Sequence, residues 1–143
     1  MSHSHQMLDN QLCFSLYAAS RKVTRLYQPI LKAHGLTYPQ YVVLMILWQR
    51  EPCSLSDIGQ HAQLNSNTLT PLLKRMELQG WLTRKRSASD ERQSVISLTP
   101  AGQALQQQCA CIPEQMLKQA GMPLDKAKQL KSLLDEFLAL PTP

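Results

Sequence analysis

Apolar residues in the first quarter of the chain recur at helical spacing. Leu8, Leu12, Leu16, Val23, Leu26, Ile30 and Leu31 predict one amphipathic helix over residues 8–34, ended by Gly35. Pro29 inside it predicts a kink or bend, because proline lacks an amide donor and its ring crowds the preceding turn. Thr37-Tyr38-Pro39 opens a second helix, and residues 41–48 make it a largely buried rod. Pro52 breaks the chain. Ser54-Leu55-Ser56-Asp57 resembles a capping box and starts a short third helix to about Ala62. Asn65-Ser66 offers another N-cap, for a helix through residues 68–78 that stops at Gly80. Two short strands follow, residues 81–86 and 94–98, on either side of a polar tip. Thr99-Pro100 caps a fifth helix. Pro123-Leu124-Asp125 starts a sixth, with a wide apolar stripe of Leu124, Ala127, Leu130, Leu133, Leu134, Phe137 and Leu138.

This order predicts a mainly α fold with a small β-hairpin wing, a winged helix-turn-helix, as one domain over residues 1–143. Residues 38–99 form the DNA-binding region, and residues 8–34 and 100–140 supply dimerisation helices. In such a unit the second helix of the motif enters the major groove, and the wing reaches the adjacent minor groove. Asn65, Ser66, Asn67, Thr68 and Thr70 stand at the leading end of the recognition helix, where side chains meet base edges or phosphates. Lys74 and Arg75, a turn further on, suit phosphate. Arg84, Lys85, Arg86 and Arg92 give the wing its charge, with Arg92 as the candidate for minor-groove insertion. Asp90 would repel phosphate, so its expected task is to hold a wing arginine by a carboxylate–guanidinium contact.

Bulk charge agrees: a net +5 suggests a polyanionic partner, nucleic acid before membrane. The longest apolar run, residues 41–48, is too short to cross a bilayer, and no secretory signal opens the chain. A cytoplasmic protein is therefore expected. On such a chain Cys13, Cys53, Cys109 and Cys111 are free or redox-active thiols rather than a disulfide framework. None forms a Cys-x-x-Cys pair, and His3 and His5 lie in a polar tail, so no metal and no cofactor are expected. Cys53 reads as an incidental loop residue.

The apolar terminal helices exceed what one small winged helix can bury, so a homodimer on a palindromic operator is expected. Tyr17, Thr24 and Tyr27 follow Cys13 at i+4, i+11 and i+14, near one helical face. Hydroxyl donors there would hold a reactive thiolate, although a small buried hydrophobe is the ordinary role of a helical cysteine. Fourteen residues of helix separate Cys13 from Tyr27 by about 21 Å. Tyr27 therefore approaches Cys13 only from another subunit.

Several segments together carry a resemblance. They are Leu8-Asp9-Asn10-Gln11-Leu12-Cys13-Phe14-Ser15-Leu16-Tyr17, Leu36-Thr37-Tyr38-Pro39-Gln40-Tyr41, Thr68-Leu69-Thr70-Pro71-Leu72-Leu73-Lys74-Arg75-Met76-Glu77, Ser89-Asp90-Glu91-Arg92 and Leu98-Thr99-Pro100-Ala101-Gly102. The chain resembles the MarR family of winged-helix repressors, in its organic-hydroperoxide-sensing OhrR branch. The resemblance implies that Cys13 is the redox-sensing cysteine and that Tyr27 and Tyr38 are partner-subunit tyrosines hydrogen-bonded to it. Tyr17 matches a further pocket tyrosine. It also implies a repressor that leaves DNA when an organic hydroperoxide converts Cys13 to sulfenic acid and then to a disulfide. Two-cysteine members carry a resolving cysteine shortly after a Pro-Glu-Gln. This chain has Pro113-Glu114-Gln115 but Lys118 in that place, which favours a low-molecular-weight thiol as resolving partner, with Cys109 and Cys111 kept open as intersubunit resolvers. Two other functions stand beside this one. A MarR-type repressor relieved by a small aromatic or phenolic ligand is the alternative; a thiol peroxidase lacks a second catalytic group, so no enzyme is expected.

Overall fold

The computed structural model describes residues 3–89 and 93–142. Two short 3-10 turns, Ser4–Gln6 and Leu8–Asn10, precede helix α1 (Leu12–Lys32). The predicted helix over residues 8–34 is thus shorter at its start, and the polar tail is partly structured. Gln11 is the reason: its extended backbone separates turn from helix, and the Asn10 side chain donates back to the Ser4 carbonyl at 2.7 Å. Helix α1 runs on past Pro29, with the Ala33 amide donating to the Pro29 carbonyl. Gly35, at φ +72°, turns the chain in a left-handed conformation that glycine adopts without penalty.

Helix α2 (Tyr38–Arg50) starts from a full capping box. The Thr37 hydroxyl accepts from the Gln40 amide at 3.4 Å, and the Gln40 side chain accepts from the Thr37 amide at 3.0 Å. That pairing satisfies Gln40 although it is buried. Tyr41, Val43, Leu44, Ile46 and Leu47 fill the core from this rod. Ser54 caps α3 (Leu55–Ala62) and Asn65 caps α4 (Ser66–Leu78), each side chain accepting an amide three residues on. Pro71 lies past the first turn of α4. It removes the amide that would have bonded the Asn67 carbonyl, and Leu69, Leu72, Leu73 and Met76 hold the helix by their burial.

Strands β2 (Leu82–Arg86) and β3 (Ser94–Leu98) pair antiparallel, Arg84 opposite Ile96. The predicted two-stranded hairpin gains a third member, β1 (Cys53–Ser54), in the order β1-β3-β2, with Cys53 opposite Ile96. Cys53 is consequently a buried strand residue and not a loop cysteine. Burial pushes its thiol pKa up, the Asp57 carboxylate adds to that, and Arg50 opposes it.

The predicted fifth helix is broken in two, α5 (Pro100–Gln108) and α6 (Ile112–Ala120). Pro113 cannot donate to Cys109, and the Ile112 amide takes that carbonyl at 3.1 Å instead, closing a tight turn over Cys109, Ala110 and Cys111. The last helix is α7 (Leu124–Ala139). None of its residues is buried; Leu124, Leu133, Phe137 and Leu138 stand exposed, as do Leu12, Phe14 and Tyr17 on α1. Among the described residues no helix is long and apolar enough to cross a membrane.

Candidate functional site

Two surfaces carry the candidate chemistry. The first is the nucleic-acid face. Asn65 is the N-cap of α4, its side-chain oxygen engaged by the Thr68 amide at 2.9 Å. Ser66, Asn67 and Thr68 are exposed over the first turn, Thr70 is half-buried, and Lys74 and Arg75 are exposed further along. On β2, Lys85 and Arg86 are exposed. Arg84 differs from them. It is half-buried, and Glu77 at the end of α4 accepts from its backbone amide, its Nε and its Nη2. Asp90 and Arg92 lie outside the described residues.

The second is the thiol and its tyrosines. Cys13 is exposed near the start of α1, so it is not a core hydrophobe within this subunit. Tyr17, one turn on, is also exposed and accepts a hydrogen bond from Arg21, whose guanidinium lies 5.6 Å from the ring centre. At the far end of α1, Tyr27 meets Tyr38 with ring centres 4.9 Å apart. Both Tyr27 and Tyr38 also contact Tyr41, at 6.2 and 6.5 Å, and Tyr41 contacts Trp48 at 6.3 Å. The fold thus gathers Tyr27 and Tyr38, and leaves Cys13 about four turns of helix from Tyr27 and Tyr17 about three. A cleft of about 420 Å³, lined by Thr24, Gln28, Thr37 and Tyr38 among others, opens beside this cluster.

Tyr41 is absent from the sequence-based site. Its spacing of three from Tyr38 at the start of a helix was the available signal. Burial, then the neighbouring Tyr27, Cys109 and Tyr38, pushes its phenol up to about 12. Burial and Tyr38 raise Tyr27 as well. At neutral pH both phenols keep their protons; the half-buried Tyr27 can donate a hydrogen bond to an anion, whereas Tyr41 is buried. Of the candidate resolving thiols, Cys111 is exposed. Cys109 is buried, with its thiol pKa raised first by burial and then by Cys111.

Residues 25–109 match the family model described as transcriptional regulator SarA/Rot. The organic hydroperoxide resistance transcriptional regulator of Bacillus subtilis (strain 168) is 50% identical over 137 residues, covering 94% of this chain and 91% of that one. Among solved structures, reduced AbfR bound to DNA is 43% identical, with a TM-score of 0.76 and 96% of each chain covered. The disulfide form of AbfR is 42% identical, with a TM-score of 0.62 and 92% of each chain covered. AbfR is a protein of Staphylococcus epidermidis.

Proposed function

Because the chain belongs to the MarR family of winged-helix regulators, in its organic-hydroperoxide-sensing branch, we propose that it is a redox-sensing transcriptional repressor of the cytoplasm. Reduced, it binds a palindromic operator as a homodimer; oxidation of Cys13 releases it. The observation that carries this reading is the separation along α1 of an exposed thiol from a cluster of tyrosines. Two first helices crossing in opposite senses would bring each thiol to the other subunit's Tyr27 and Tyr38. The uncovered apolar residues of α1 and α7 supply the surface for such a pairing.

The chemistry follows from those groups. Phenol donors stabilise the Cys13 thiolate, which is the nucleophile. Its sulfur attacks a peroxide oxygen, the O–O bond breaks, and the organic fragment leaves as an alcohol after taking a proton. Sulfur is thereby oxidised by two electrons to sulfenic acid. A second thiol then condenses with it, water leaves, and a disulfide forms. A low-molecular-weight thiol is the favoured second partner, with the exposed Cys111 ahead of the buried Cys109 among the protein's own.

A duplex selected from a random-sequence pool by the reduced protein serves as operator. Organic hydroperoxide is expected to release wild-type protein in fluorescence anisotropy and to leave Cys13→Ser bound. Equal release of that variant would remove Cys13 from the sensing step. Release by a phenolic ligand under reducing conditions would favour a ligand-relieved repressor instead.

A further inference from the structure

We propose that Glu77 and Arg84 are positioning residues that set the wing on the recognition helix, and that Arg84 does not meet phosphate as Lys85 and Arg86 do. The proposal rests on the DNA-binding reading above and assigns its basic residues to separate tasks.

One carboxylate makes all the contacts. Glu77 Oε2 accepts from the Arg84 backbone amide at 3.1 Å, and Oε1 accepts from Nε and Nη2, each at 3.3 Å. The main-chain bond matters most, because it grips the strand itself and not only a flexible side chain. Charge-assisted bonds of this kind are about twice as strong as neutral ones. The pair is also partly shielded, with side chains 24% and 38% exposed. Strand parity agrees: Arg84 shares a strand face with buried Leu82, whereas Lys85 points the other way. Arg86 shares the parity of Arg84 but is exposed.

The opposite side of the wing is held in the same manner. Glu51, just after α2, accepts from the Leu98 amide at 2.8 Å, and Leu98 pairs with Leu82 across the hairpin. The Thr99 amide donates to the Trp81 carbonyl at 3.0 Å and closes the base. Each strand is therefore held by a carboxylate, Glu77 from within α4 and Glu51 from just past the end of α2. A carboxylate beside a polyanion opposes binding unless it serves another purpose, and this gives the test its sign.

Operator affinity is measured with reduced protein, over a range of salt, on the selected duplex and on a copy trimmed of the flanks that the wing reaches. Glu77→Gln and Arg84→Gln are each expected to bind the full duplex about tenfold more weakly, with the double variant no weaker than either. Their salt slopes stay at the wild-type value, while Lys85→Gln lowers its slope by about one. On the trimmed duplex all three Glu77 and Arg84 variants match wild type. Arg84→Lys keeps the charge but loses the planar two-nitrogen grip, so it too weakens binding to the full duplex. Thermal melting compares the folded states. Tighter binding by Glu77→Gln, or a lowered slope for Arg84→Gln with Arg84→Lys unchanged, would make Arg84 a phosphate contact and overturn the clamp. Equal weakening on both duplexes would reduce it to a general stabilising pair and overturn it as well. Absence of salt-dependent binding by wild type would sink the DNA-binding reading and the clamp together.

Discussion

Tyr41 is the residue that backs Tyr27 and Tyr38 from within the subunit. It touches Tyr27, Tyr38 and Trp48, and its phenol is pushed up to about 12 by burial first and by its neighbours second. Since the folded value lies above the ordinary 10.0, the protonated fold is favoured. That stability is fully present below pH 10.0 and is lost as pH rises towards about 12. Tyr41→Phe is expected to remove the last phenol to ionise in an ultraviolet titration and to flatten the alkaline loss of stability measured in urea. An unchanged alkaline limb would show that another group carries it. In the sequence Tyr41 opens an apolar row, and its spacing from Tyr38 is the sign that sets it apart from Val43 or Leu44. Arg84 was hidden among basic neighbours, because its partner lies on another element.

At the level of elements, caps made most of the fold legible. Thr37 with Gln40, Ser54 and Asn65 mark three helix starts within a residue of where the backbone begins them. The breaks were harder. Pro113 is visible in the chain, but whether it kinks, ends or restarts a helix depends on who takes the Cys109 carbonyl. Strand β1 has two residues and no local signal, since pairing with Val95 and Ile96 alone makes it a strand. Gly102, in the first turn of α5, shows how closely these elements meet. A Cβ there would lie 2.0 Å from the Trp81 carbonyl oxygen and 3.1 Å from a Leu98 methyl. Gly102→Ala is therefore expected to destabilise the protein by about 3 kcal/mol, as overpacking against backbone does, read from urea denaturation. A loss below about 0.5 kcal/mol would mean that the wing base yields easily.

For the whole molecule, the wide stripe of α7 is unburied within one chain and is the surface that the proposed dimer would cover. Leu133→Lys with Phe137→Lys is expected to give a monomer in analytical ultracentrifugation and to cost at least about a hundredfold in operator affinity, since two half-sites are then read separately. A dimer surviving both changes would place the interface elsewhere. Helix α2 packs against α1, α3, α4 and α5. Its first turn holds Tyr38 and Tyr41; near its other end the Trp48 indole donates to the Gly102 carbonyl at 3.1 Å, and Glu51 holds Leu98. It is a strut about 20 Å long with fittings at both ends. A tilt of about ten degrees about the tyrosine end would carry Glu51 through about 3 Å, roughly one hydrogen-bond length. The buried core along α2 would carry such a tilt from one end to the other.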